Sequence, residues 1–320
     1  MAGGVSPIRE GWRMSDRPEI NPALGLDLAR ERTLKRSNAT ISIVIPAHNE
    51  EATIVEVVTE ARRGLDLLGV QGDVLVSASG CTDQTAEKAL RAGARVVEAP
   101  IGKGEAITAG LAATDGEIVC LIDGDMRYYG ERPLSTILIE PLISGIADAC
   151  VTDLYWRPIY PQMWLSGFFA PVAGYLFPEL LPKVGSTPWS GQRAAFRNLW
   201  PAAVSPGFTV DLEILMHWNR HAVRLRPVLA DDWTNPQRPK PDLMARELEV
   251  LIREATADGR IGQLDASALR RWYEIAHRLM AKYQPNNDDP QEFERDLLRK
   301  TTQALHFSLG WRGDSPEGLN

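Results

Sequence analysis

From Ile41 onward the chain alternates short apolar runs with amphipathic stretches. Ile41-Ser-Ile-Val-Ile45 is rich in β-branched residues, stops at Pro46 and reads as a buried strand. Glu50 and Glu51 then favour a helix start, and Ile54, Val58, Ala61 and Leu65 recur at helical spacing. The unit repeats, with strands at 73–77, 94–98 and 117–122 and helices at 82–92 and 104–114. Strands alternating with helices of about ten to fifteen residues predict an α/β fold: a Rossmann-like, mostly parallel sheet with helices on both faces. Beyond Arg157 the alternation weakens. A helix is expected over 210–220 and a strand over 223–229. From Leu243 the pattern is helical, with one apolar stripe through Met244, Leu248, Leu251 and Ile252 and another through Leu269, Trp272, Ala276, Leu279 and Tyr283. This divides the chain into a polar N-terminal arm (1–38), an α/β domain (39–238, with halves 39–126 and 127–238) and a helical C-terminal appendage (239–320).

The segment 158–177 lacks charge but holds Pro161, Gly167, Pro171 and Gly174. These suit a folded loop or broken helix better than a membrane span; an interfacial membrane contact is the lesser alternative. With 320 residues, 44% of them hydrophobic, the chain can bury a substantial core. A net charge of -7 argues against a nucleic-acid partner, though not against a local basic pocket for phosphates. Cys81, Cys120 and Cys150 are too scattered for a disulfide framework or a metal knuckle. A reducing, cytoplasmic setting fits best, and no secretory signal is visible.

Candidate chemistry gathers where the strands end. Asp123-Gly124-Asp125 follows the apolar run Val119-Cys-Leu-Ile122. In open α/β sheets ligands bind beyond the carboxyl ends of strands. Two carboxylates one residue apart can share a hard cation, Mg2+ or Mn2+, which bridges them to phosphate oxygens; an acidic Asp-Gly turn is the plainer reading. Pro46-Ala-His-Asn-Glu50 lies past the first strand, where Glu50 can hold ribose hydroxyls and Ala47 and His48 can line a base. Gly102-Lys103-Gly104-Glu105-Ala106 opens a helix, whose N-terminus attracts phosphate. His217 and His221 share a helix face, but no further metal ligand accompanies them. Trp156, Trp164, Trp189 and Trp200 fit an acceptor cleft or a core equally well. Tyr128 and Tyr129 can close over a donor or form an ordinary turn.

In order, Pro-Ala-His-Asn-Glu-Glu, Ser79-Gly-Cys-Thr-Asp-Gln-Thr85, Gly-Lys-Gly-Glu-Ala and Ile-Asp-Gly-Asp resemble the signatures of GT-A glycosyltransferases, in particular the glucosyl-3-phosphoglycerate synthases, which are retaining and use UDP-glucose. The resemblance is dense over 41–126. It thins through Tyr155-Trp-Arg-Pro158, Ser190-Gly191 and Pro206-Gly-Phe-Thr-Val-Asp211. It implies that Pro46, Ala47, His48 and Glu50 hold the nucleoside, with Ser79 and Gly80 near the base. Lys103 and Asp123, with Gly124, would hold the nucleotide, Asp125 the metal, and Ser190 and Gly191 would lie near the transferred sugar. Asp211 falls where the family has a Glu near the reaction centre, and Glu213 is the neighbouring candidate; on one helix the two carboxylates point apart, so only one should face the cleft.

Three departures stand out. Ala78 replaces an Asp before the Ser-Gly loop. The family's metal-binding His corresponds to Asp231-Asp-Trp-Thr-Asn235, so Asn235 or one of the Asp residues would serve. The Gly-Gly-Arg-x-Thr acceptor segment is Phe168-Phe-Ala-Pro-Val-Ala173 here, without the Arg and hydroxyl donors that phosphoglycerate wants. The expectation is therefore a metal-dependent transferase moving a hexosyl unit, glucose or N-acetylglucosamine, from a UDP-sugar to a partly apolar small molecule such as a nucleoside or aminosugar antibiotic precursor. The N-terminal arm and the resemblance hint at a homodimer. The rivals are a polyprenyl-phosphate transferase at a membrane surface, a non-catalytic nucleotide-sugar-binding protein, and a sugar nucleotidyltransferase, which would normally carry a Gly-rich basic loop after the first strand.

Overall fold

The computed structural model describes residues 38–128, 130–153, 163–185, 187–222, 224–230, 233–234, 242–284, 286 and 288–310. Within them the chain runs β1 (Ile41–Ala47), α1 (Ile54–Leu68), β2 (Gly72–Ser79), α2 (Thr85–Arg91), β3 (Arg95–Ala99), α3 (Lys103–Ala112), β4 (Ile118–Leu121), β5 (Arg127–Tyr128), α4 (Leu134–Ile143) and β6 (Ala149–Asp153). A π-helical turn (Leu165–Phe169) leads into α5 (Ala170–Leu176). Then come β7 (Arg193–Phe196), α6 (Val210–His221), β8 (Leu225–Leu229), β9 (Trp233–Thr234), α7 (Leu243–Ala257), α8 (Gln263–Met280) and α9 (Pro290–Ser308).

Seven strands form one sheet in the order β3-β2-β1-β4-β7-β6-β8. The first four are parallel, β7 is antiparallel to both its neighbours, and β6 and β8 are parallel. The mostly parallel sheet of the sequence reading is thus present, with one reversed strand inside it. β1 is buried at every position, as a central strand covered on both faces should be. Its side chains alternate between two apolar layers. Ile41, Ile43 and Ile45 pack with α1 and α4 through Ile54, Val58, Leu138 and Leu142. Val44 faces the opposite layer with Ile107 of α3.

That second layer continues without a break into the C-terminal helices: Phe168, Val172, Leu215, Leu248, Leu251, Trp272 and Leu305 belong to one cluster with Val44, Val119 and Leu121. The helical C-terminal region is present; the expected boundary near residue 238 lies outside the described residues. So do residues 1–37 of the arm, Tyr129, Tyr155–Pro158, Asp231, Asp232 and Asn235. Among the described residues no helix is long and apolar enough to cross a membrane.

The apolar segment before α5 requires a correction. Phe168, Phe169, Val172 and Ala173 are buried. Phe168 stacks on Trp272 (6.2 Å between centroids) and meets Tyr273 edge-on. Hydrogen bonds tie the segment down as well: Ser166 Oγ donates to Glu294 Oε1, and Thr301 Oγ1 donates to the Ser166 carbonyl. These side chains fill the core, so they do not present the apolar acceptor surface expected from the sequence; the segment still offers no arginine or hydroxyl donor.

Candidate active site

Parallel pairing brings the carboxyl ends of β1 to β4 to one edge. Ala47 pairs with Ala78, Ser79 with Ala99, and Val44 with Leu121. Because β7 runs the other way, Arg193, which opens it, pairs with Leu121, so the loop 187–192 reaches the same edge. Five loops therefore converge there.

On the β1 side, His48 Nδ1 lies 2.6 Å from the Ser79 carbonyl oxygen, to which it donates. Asn49 takes a left-handed conformation (φ 55°) that suits its short polar side chain; its side-chain Oδ1 accepts from the Thr82 amide at 2.8 Å. The Glu50 amide donates to Thr85 Oγ1 at 2.8 Å. Ser79 Oγ donates to the Pro100 carbonyl and accepts from the Gly102 amide at 2.9 Å. Gly80 (φ 57°) and Gly102 (φ 142°) hold backbone conformations that a side chain would strain. Of the expected nucleoside residues, His48 and Ser79 are joined by a direct hydrogen bond between the two loops, Pro46 and Ala47 end β1 beside β2, and Glu50 and Gly80 follow in the same two loops. Of these, His48 is exposed and Glu50 half-buried, whereas Pro46, Ala47 and Ser79 are buried.

Charge concentrates at the centre of the edge. Lys103 Nζ lies 2.8 Å from Asp211 Oδ2 and 3.1 Å from Asp123 Oδ1. Burial by itself pushes the ammonium's pKa down, but Asp123 and Asp211 outweigh it and hold the group protonated well above the ordinary lysine range. Asp123 is clasped by Gln192, whose amide nitrogen donates to Oδ2 at 2.8 Å while its Oε1 accepts from the Asp123 amide at 2.8 Å. Gly191 lies beneath: a Cβ there would fall 2.3 Å from Asp123 Oδ2 and 2.5 Å from Lys103 Nζ. Ser190 Oγ shares a hydrogen bond of 2.5 Å with Thr152 Oγ1 of β6. Thr53 donates to the Gly124 carbonyl at 2.7 Å, which shapes the turn that carries Asp125.

Of the two carboxylates on α6, Asp211 joins this centre. Glu213 turns away and accepts from Ser205 N (2.8 Å) and Oγ (2.6 Å) and from Arg253 (3.3 Å). One of the pair faces the cleft, as helix geometry requires. The sequence reading missed Gln192 and Arg193. The Arg193 guanidinium is fully buried, lies 3.3 Å from Asp211 Oδ1 and donates to the Asp211 carbonyl at 2.7 Å. An Arg-Ala-Ala-Phe strand beside the Ser-Gly pair was the available signal: an arginine with apolar neighbours at the edge of a site.

Other candidates fall away from this centre. His217 and His221 stack on each other (4.3 Å) far along α6, and no group of three or more metal-binding side chains occurs among the described residues. Trp164 stacks on Trp189, and Trp200 meets Trp218 edge-on; Trp164 and Trp200 are buried. Tyr128 is enclosed too, its hydroxyl buried without a hydrogen-bond partner.

A mostly parallel sheet with helices on both faces, acidic and phosphate-compatible loops along its carboxyl edge and an acidic turn after β4 define a GT-A fold. Residues 42–152 match the Glycosyl transferase family 2 model, and the chain belongs to that family. It is 37% identical to glucosyl-3-phosphoglycerate synthase of Mycobacterium tuberculosis (strain CDC 1551 / Oshkosh) over 202 residues, 57% of this chain and 61% of that relative. The chain thus spans about three fifths of the length of that curated relative. Among solved structures it is similar to the M. tuberculosis synthase in complex with Mn2+, UDP-glucose and phosphoglyceric acid: TM-score 0.59 and 28% identity, covering 78% of this chain and 86% of that one. The same synthase with Mg2+ and UDP gives a TM-score of 0.58 at 30% identity, covering 71% and 83%.

Proposed function

We propose that this protein is a metal-dependent glycosyltransferase that moves a hexosyl unit from a UDP-sugar to a hydroxyl of a small acceptor, with retention of configuration. The observation that carries the reading is the convergence of Lys103, Asp123 and Asp211 at the carboxyl edge of the sheet, beside the turn that carries Asp125. The similarity to structures holding UDP, UDP-glucose and Mn2+ or Mg2+ supports it.

The residues present suit a hard cation. Magnesium-type sites use one or two carboxylates and complete their shell with substrate phosphate oxygens and water. Asp125, on the turn that Thr53 shapes after β4, is the carboxylate we assign to the cation, with Asp123 and Asn235 as further candidate ligands. Once bound, the metal would offset charge on the departing diphosphate. Lys103 supplies a fixed positive charge beside it; an ammonium carries three donors, and the third is available for a phosphate oxygen. Asp211 is a poor candidate for a base behind the anomeric carbon, because Lys103 holds Oδ2 and Arg193 faces Oδ1. Its role is to fix Lys103, which supports retention over inversion.

The acceptor stays open in class. With Phe168 to Ala173 in the core, the case for an apolar acceptor loses its basis, and 3-phosphoglycerate, present in a similar structure, is the first compound to try. Calorimetric titration with UDP, GDP and dTDP, with and without Mn2+, tests the donor half. UDP should bind, and more tightly with metal; selective binding of GDP or dTDP would mean that Ala78 has changed base choice. Asp125→Ala should lose the metal dependence and the transfer while keeping the fold. Near-normal turnover in that variant would sink the proposed metal site.

A further inference from the structure

Arg193 is a buried guanidinium that donates hydrogen bonds to two backbone carbonyls of the site. Its Nε donates to the Ser190 carbonyl at 3.0 Å, and Nη2 donates to the same oxygen. Nη1 donates to the Asp211 carbonyl at 2.7 Å, and Nη2 lies 3.3 Å from the Asp211 carboxylate. The guanidinium also sits 5.7 Å from the centre of the Trp218 ring, which covers it with an apolar face. Burial lowers its pKa, and Asp211 and Asp123 oppose that shift.

The two anchors belong to different parts of the chain. Ser190 and Gly191 lie in the loop that follows α5 and precedes β7; Asp211 sits in the first turn of α6. Between them lie Asp123, clasped by Gln192, and Lys103, which bridges Asp123 to Asp211. Arg193 itself is pinned by pairing with Leu121 on one side and Val151 on the other. A rigid strand therefore presents a planar fork whose geometry fixes several acceptors at once. Together Lys103 and Arg193 balance Asp123 and Asp211, two cations against two carboxylates.

We propose that Arg193 is a positioning residue for sugar transfer: it locks the Ser190–Gly191 loop to the start of α6 and so sets where Lys103 and Asp123 meet the donor. This rests on the donor reading above. A lysine at 193 keeps the positive charge and loses the fork. Arg193→Lys should therefore bind UDP with wild-type affinity and full stoichiometry in the presence of Mn2+, while kcat for release of UDP from UDP-glucose falls by about 100-fold, the scale of a small misplacement of reacting groups. Arg193→Gln, which also removes the charge, should lose kcat and bind UDP more weakly.

A role in the fold alone would move different quantities: the melting temperature and the binding stoichiometry would drop, while the molecules that bind would turn over normally. Wild-type kcat per binding site in either variant overturns the proposal, as does failure of both to fold. Absence of UDP binding by the wild-type protein overturns the donor reading, and the inference falls with it. Wild-type binding with lost turnover in Arg193→Lys supports both.

Discussion

A methyl group at Gly191 and one at Gly104 would meet very different obstacles. At Gly191 the near atoms are Asp123 Oδ2 and Lys103 Nζ, the tips of two side chains that can swing aside. At Gly104 the near atom is the Ser205 carbonyl oxygen, 1.8 Å away, where the Gly104 amide also donates to the Pro206 carbonyl. Gly191→Ala should therefore melt close to wild type yet turn over about 100-fold more slowly, because its cost is displaced functional groups. Gly104→Ala should lose about 1–3 kcal/mol of stability by overpacking, read by chemical denaturation. The cysteines permit a second check. Burial pushes the Cys150 thiol up to about 12 and the Cys120 thiol well above the ordinary range, whereas Cys81 is half exposed in the loop that meets Asn49. A thiol reagent at pH 8 should titrate one group in the native protein and three in denaturant.

Among the elements, β1, β2 and β4 were readable because they are buried inside the sheet, so their apolar runs are nearly continuous and flanked by turn residues, while the edge strand β3, Arg-Val-Val-Glu-Ala, was readable from its place between two helical stretches. β7 was not: Arg193-Ala-Ala-Phe196 is short, opens with a charge and lacks β-branched residues, and only the acceptors supplied by Ser190 and Asp211 make a buried arginine tolerable there. The donor loops were legible because glycine, acidic and short polar residues at strand ends have few other uses. The fate of Phe168 to Ala173 was not, since it depends on Trp272 and Tyr273, about a hundred residues away in sequence. On α6 the side chains of His217 and His221 behave as a structural pair. Burial, then His221 and Arg220, lowers the His217 pKa from its ordinary value, and Glu254 opposes this weakly. The unfolded chain then binds the extra proton first. Stability should fall as the pH drops below about 6.5 and level off below the folded value. The melting temperature measured from pH 8 to 5 should show that slope, and His217→Gln should flatten it.

At the scale of the whole molecule, the chain has a net charge of -7, and at the site Lys103 and Arg193 only balance Asp123 and Asp211, so under the proposed function a bound cation would have to supply the net positive charge for a diphosphate. The same centre depends on the C-terminal helices, through packing instead of charge. The layer beneath α3 and α6 includes Leu248 and Leu251 of α7, Trp272 of α8 and Leu305 of α9. Trp272 is fully buried and donates to the Thr301 carbonyl at 2.8 Å, which ties α8 to α9. Phe168 and the Ser166–Thr301 bond tie these helices to the segment before β7, and α7 packs directly on α6, which carries Asp211. Removing residues 242–320 would uncover Phe168, Phe169, Val172 and Leu215 together, an apolar patch of the kind that soluble monomers rarely expose. The full chain should therefore unfold in one calorimetric transition with equal calorimetric and van't Hoff enthalpies. A chain ending at residue 241 should lack a cooperative melt and aggregate. Two separate transitions in the full chain, or a truncated chain that melts cooperatively and still binds UDP, would show instead that the C-terminal helices are an independent unit and that the donor site stands without them.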